Sequence, residues 1–162
     1  MFERFTREAR AAVLRACEAA RRSGAEQIEP EHLLVALAGG SLGDTATQAL
    51  AEAGLDVAMI EQAIAQDLVA MLQVVGVPAS VVAATPVHPG AGFPGFGPAA
   101  KKALEHALRE AVRLGDRRIR SGHVLLGVLG QPAPSLDRVL RSLDVAPRRL
   151  ADLARVELAS RR

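Results

Sequence analysis

The chain has 162 residues, enough for one domain or for two small halves around a shared core. Hydrophobic residues make up 49%, with four Phe and no Tyr or Trp, so the core must be built from Leu, Val, Ile and Ala. That favours helices packed closely through small residues and disfavours nucleic-acid binders that stack bases on aromatics.

The formal net charge of +2 says little about partners, because Arg interleaves with Asp and Glu as on solvated helix faces. Cys17 is alone, so no disulfide framework exists within the chain. It fits a small buried residue in a reducing, cytoplasmic setting. Residues 1–15 are charged and amphipathic and lack the pattern of a secretory signal. The stretch Leu68 to Val87 is long enough for a membrane span. Gln73, Pro78, Ser80, Thr85 and Pro86 interrupt it, so no span is expected.

Thr6 reads as the N-cap of a helix to about Ser23. Ala9, Val13, Ala16, Cys17 and Ala20 form its apolar stripe. Gly24 ends it. Pro30 opens a second helix, stopped by Gly39 and Gly40. A third starts at Asp44 or Thr45 and runs to Glu52, and a fourth spans about Val57 to Met71. The join, about Val74 to Gly95, is rich in Val and punctuated by Pro and Gly. Its breakers argue against a helix and its apolar character argues for a strap packed along the helices. Pro98 then opens a helix to about Leu114, Ser121 caps the next, Ser135 caps a short one through Leu143, and Pro147 begins the last, through about Leu158.

The two sets of helices are one set written twice. Phe2 and Phe5 match Phe93 and Phe96 at a separation of 91 positions, and the same separation maps Arg10 onto Lys101, Gly24 onto Gly115, Ile28 onto Ile119 and His32 onto His123. A fixed offset over many matched residues is an internal duplication. The expected fold is all-α: two pseudo-symmetric four-helix repeats packed as one domain over residues 1–162. Repeat one covers 1–72, the linker 73–92 and repeat two 93–162.

Catalytic constellations are missing from the sequence. There is no phosphate-binding GxxxxGK[ST] and no GxSxG, and GAGFPG at 90–95 lacks the strand and helix of a dinucleotide fingerprint. His32, His88, His106 and His123 stand singly, without metal-ligand spacing. No enzyme activity, cofactor or metal is expected. His32 and His123, at the start of the second helix of each copy, read as fixtures that bridge the preceding connector to the helix.

FTREARAAVLRACEAARRSGAEQIEPEHLLVALA resembles the first repeat of the Clp N-terminal (Clp R) domain, and FGPAAKKALEHALREAVRLGDRRIRSGHVLLGVL resembles the second. Phe-Thr, an Ala/Arg-rich helix, Gly, Ile and Glu-His-Leu-Leu stand in register in the first, and the second keeps most of them. The resemblance implies a domain without enzymatic activity that receives substrates and adaptors for the ClpC and ClpA unfoldases. It also implies that the ATPase ring is missing here, as in a stand-alone Clp R protein or an isolated domain. In ClpC-type members each repeat holds a phosphorylated arginine, and by resemblance Thr6 and Glu31 form such a pocket. Gly97 and Gly122 stand at the matching places of the second copy, which is expected to lack one. A second family surface, where cyclic peptides dock between the repeat starts, maps onto Phe2, Arg10, Phe96 and Lys101.

The expectation is a monomeric, non-enzymatic protein- and peptide-binding module, an adaptor or a decoy. Its partners would be Clp ATPase or protease subunits, adaptors or cyclic peptides, with no nucleic acid and no membrane. The alternative is a DNA-binding helical protein, suggested by abundant Arg and disfavoured by the acids that interrupt every Arg run.

Overall fold

A computed structural model describes residues 2–84 and 92–161; His88 and the centre of the join lie outside them. The first repeat contains α1 (Arg7–Arg22), α2 (Pro30–Ala38), α3 (Thr45–Glu52) and α4 (Val57–Val74). The second contains α6 (Pro98–Arg113), α7 (Ser121–Leu129), α8 (Pro134–Ser142) and α9 (Pro147–Ser160). Helices α6 and α7 repeat α1 and α2 at the separation of 91, residue for residue. Thr6 caps α1, its Oγ1 accepting from the Ala9 N–H at 3.4 Å. Gly24 and Gly115 reverse the chain after α1 and α6 with φ of 69° and 76°, a region that favours glycine.

The repeats are tied by crossed pairing. Two short strands, β1 (Gln27–Ile28) and β2 (Gly95–Phe96), run parallel with Ile28 opposite Phe96, and Phe5 bridges to Ile119 in the same sense. Phe5 and Phe96 are equivalents, as are Ile28 and Ile119, so each copy's lead-in pairs with the other copy's connector. That reciprocity is the mark of a twofold relation. The hydrogen bonds repeat as well: Thr6 N–H donates to Ile119 O and Gly97 N–H to Ile28 O, both at 2.9 Å.

Small residues let the helices close. Ala9, Ala12, Ala16 and Ala20 of α1 and Ala100, Ala103, Ala107 and Ala111 of α6 are fully buried. At Gly127 of α7 an added Cβ would stand 2.1 Å from the Ala103 carbonyl oxygen and 2.7 Å from the Ala107 nitrogen. The backbones touch there and only glycine fits.

The starts of α3 and α7 cap one another across the repeats. Thr45 Oγ1 accepts from Gly122 N–H at 2.7 Å, Ser121 Oγ accepts from Ala46 N–H at 3.0 Å, and the two hydroxyls lie 3.1 Å apart. Glu8 of α1 closes the cluster, its carboxylate accepting from the Thr45 N–H at 3.0 Å, the Ser121 N–H at 3.3 Å and the Ser121 hydroxyl at 3.0 Å. Ser121 is therefore not the N-cap of its own helix: Arg120 holds that place and Ser121 serves α3. Ser135 likewise sits inside the first turn of α8, where its hydroxyl donates to Glu31.

The matched histidines bridge connector to helix as expected. Nδ1 of His32 accepts from Glu29 N–H at 2.9 Å, and Nδ1 of His123 from Arg120 N–H at 3.0 Å. An accepting Nδ1 puts the ring proton on Nε2, which faces Ser23 Oγ in one copy and Asp116 Oδ2 in the other, both at 3.1 Å. Burial lowers the His32 pKa from its ordinary 6.5, with Glu31 pulling the other way.

The join departs from expectation. Helix α4 continues to Val74, and a further helix, α5 (Ala79–Ala84), follows. Pro78 begins it rather than breaking it, its carbonyl accepting from Val81 and Val82 N–H; proline is tolerated where no N–H is required. Nor is this part of the join a packed strap, since Val74, Val75 and Val81 are exposed. Helix α4 is long and apolar enough to cross a membrane by length and composition. Yet its Ile60 and Ala63 are buried, it packs on α2 and α8, and Asp67 pairs with Arg138 of α8 at 2.7 Å.

Two outcomes follow for stability. Thr45→Val and Ser121→Ala each strand buried donors and lower unfolding stability by about 1–3 kcal/mol; the double variant loses less than the sum, measured by urea denaturation. The depressed His32 pKa means the unfolded chain holds the proton more tightly, so stability is lost as pH falls below 6.5. The urea midpoint of wild type falls between pH 7.5 and 5.5, and His32→Gln falls less steeply.

Candidate functional site

The crossed lead-ins bring three of the four Phe together. A 3-10 turn over Phe2–Arg4 folds Phe2 over Phe5, with ring centroids 5.0 Å apart at 58°. Phe2 also meets Phe96 at 6.2 Å and 31°. Burial grades across the cluster: Phe5 is 2% exposed and belongs to the core, Phe96 is half-buried, and Phe2 is 43% exposed. Phe93, the equivalent of Phe2, is 85% exposed, so the seam is not symmetric.

Arg10 and Lys101 stand at equivalent exposed positions near the starts of α1 and α6. Arg10 Nη2 donates to Glu3 O at 3.4 Å, which places its guanidinium beside the Phe2 turn. A partly exposed aromatic pair next to a cation offers apolar area with an electrostatic handle.

Thr6 and Glu31 are not neighbours in this way. Thr6 Oγ1 donates to Ile119 O at 3.2 Å and lines a cavity of about 400 Å³ with Arg7, Glu8, Arg15 and Asp44. Glu31 lines a different cavity, of about 580 Å³, with His32, Leu68 and Met71. The crossing explains the separation: Thr6 stands by the start of α7, while α2, which carries Glu31, starts beside Gly97. The second-copy positions are filled. A Cβ at Gly97 would meet Glu29 Oε1 at 2.2 Å, and one at Gly122 would meet Leu158 Cγ and Thr45 Oγ1 at 2.9 Å. At the start of α7, donors of the kind that would suit an anion already serve Glu8 and Thr45.

Sequence reasoning missed two features. Glu8 stands in the first turn of α1, and nothing local in the sequence reveals that it joins three helices. The larger cavity draws on α2, α4 and α8, and its only sequence signal is the spacing of Ile64, Leu68 and Met71 along one side of α4, continued by Val75 just past its end.

Residues 4–143 match the sequence model of the Clp repeat (R) N-terminal domain. The chloroplast chaperone protein ClpC1 of Oryza sativa subsp. japonica is 34% identical over 147 residues, which cover 91% of this chain and 14% of that protein. An uncharacterized protein of Mycobacterium bovis is 39% identical over 128 residues, covering 79% of this chain and 44% of that one. This chain thus spans a minor part of these relatives. Among solved structures, the N-terminal domain of ClpD from Arabidopsis thaliana matches with a TM-score of 0.71 at 20% identity, covering 98% of this chain and 97% of that one. The ClpV N-domain solved in complex with a VipB peptide matches at 0.63 and 16%, covering 98% and 89%. At these identities the structural matches speak for the fold. The family model covers most of the chain, and the chain belongs to the Clp repeat (R) N-terminal domain family.

Proposed function

We propose that this domain is a non-enzymatic module that binds peptide segments of other proteins at the seam between its repeats. Phe2 and Phe96 supply the apolar contact, and Arg10 and Lys101 the charge. The observation that carries this reading is the ring contact at 6.2 Å across the two lead-ins, with Phe2 43% exposed. A rigid, half-exposed aromatic pair on paired backbone loses little entropy when a partner covers it. The peptide bound to the ClpV N-domain supports the same class of ligand.

Partners in this reading are adaptors or substrates of a Clp protease system, Clp subunits themselves, or cyclic peptides. The domain acts as a monomer in the cytoplasm, as adaptor or decoy. The two matched histidines are engaged in holding backbone and serve no reaction in this scheme. Thr6 and Glu31 line separate cavities and are left out of the contact set.

Phe2→Ala and Phe96→Ala each weaken a cyclic or linear peptide selected on the domain by about tenfold, or 1.4 kcal/mol, in titration calorimetry. Unchanged affinity in both variants rejects the seam. Purified protein with ATP and magnesium releases no phosphate above the buffer rate, and sustained hydrolysis refutes the non-enzymatic reading.

A further inference from the structure

We infer that the outer face of α9 is a second docking site, for a segment of a partner protein that carries Asp or Glu a few residues from an apolar side chain. Charge is divided unevenly along the chain. Residues 23–100 hold eight Asp and Glu and no Lys or Arg, whereas residues 101–162 hold fourteen Lys and Arg against seven Asp and Glu. The second repeat is thus strongly positive and steers acidic partners toward itself.

Helix α9 sets that charge beside an apolar groove. Ala146, Arg148, Arg149, Asp152, Leu153 and Val156 line a groove of about 430 Å³. Val156 is 60% exposed, and Leu153 is half-buried where it packs on the core. The inner side of α9 is given to the core through Leu150, Ala154 and Leu158, which leaves the groove to solvent.

The charges at the groove do not cancel. Asp152 is taken by Arg155 at 2.8 Å. Arg148 and Arg149 are exposed, and neither has an ion-pair partner among the described residues. Beyond Ala146, Arg141 stands with Asp137 and Asp144, so the surplus of positive charge ends at the start of α9. The counterpart in the first repeat is the reverse: α4 opens on Asp56, carries Glu61 and Asp67, and has no Lys or Arg.

Spacing defines what fits. Arg149, Leu153 and Val156 recur at i, i+4 and i+7, so they share one side of the helix over about 10 Å. A bound segment meets guanidinium groups at one end of the groove and apolar side chains at the other. A guanidinium pairs with a carboxylate at two points, so an acid close to Leu or Phe is held and a basic segment is repelled. A bilayer is a poor occupant, because Leu153 lies in a recess rather than projecting from the surface. Two free guanidinium groups are too few to hold duplex DNA. None of the residues at the Phe2 seam lines this groove, so the site stands apart from it.

The test uses the full chain and a fluorescein-labelled decapeptide in which two Glu are followed by Leu and Phe, alongside the same peptide with Lys for Glu. In fluorescence anisotropy the Glu peptide binds at least about tenfold more tightly. The double variant Arg148→Gln with Arg149→Gln, and separately Val156→Ser, each weaken it about tenfold, with helical circular dichroism unchanged. Arg117→Gln with Arg118→Gln, at an exposed basic pair of the same repeat that does not line the groove, leaves it unaltered, and so does Phe2→Ala. Equal affinity for the two peptides, or no binding at millimolar concentration, overturns the proposal. So does a loss confined to Phe2→Ala, or an equal loss in the Arg117 and Arg118 variant, which would make net charge alone the cause. Cosedimentation with phosphatidylserine vesicles that Arg148→Gln with Arg149→Gln abolishes, without peptide binding, makes a bilayer the occupant and overturns it too.

Discussion

The lead-in of each repeat hydrogen-bonds to the connector of the other, and the remaining architecture is arranged around that exchange. Phe5 reaches Ile119 while Phe96 reaches Ile28, so neither four-helix unit completes its own edge. The exchange sets the start of α7 beside the lead-in of the first repeat and the start of α2 beside that of the second. At these two places the histidines fasten the connectors, and where α3 meets α7 the threonine and serine of opposite repeats cap one another's helices. A buried helix start needs acceptors for its free N–H groups. Meeting that need with a residue some 75 positions distant makes the two copies one folding unit.

Much of this was legible in the sequence because duplication preserves spacing. The matched Phe, Gly, Ile and His residues located both helical pairs, and α6 and α7 follow α1 and α2 at the expected separation. What stayed hidden depends on contacts between the copies. Ser121 looked like a local cap because its type and place fit one, and linear spacing carries no trace of Ala46 as its target. Thr6 and Glu31 pair by family resemblance within one repeat, whereas the crossing sends each toward the other copy. Pro78 has the residue type of a breaker, and its place before α5 makes it a starter. The grouping of Phe2 with Phe96 was foreseeable from the offset, while the grading of their exposure was not.

The copies have diverged most where their surfaces differ in chemistry. Glu29 and Arg120 occupy equivalent positions and carry opposite charge. Thr6 and Glu31 face glycines at their counterparts, and those glycines are now required by packing against Glu29, Leu158 and Thr45. The buried alanine stripes of α1 and α6, by contrast, are alike. Core geometry is thus held in common while the helix starts are specialised, one acidic and one basic. This is how a symmetric scaffold comes to present unlike surfaces.

The position of Phe2 in the chain has its own consequence. It is the second residue of the sequence and rests on Phe96. Any polypeptide joined ahead of it would therefore emerge directly beside the aromatic pair. A fused tag or leader there would act as a tethered competitor, at an effective concentration that free peptide seldom reaches.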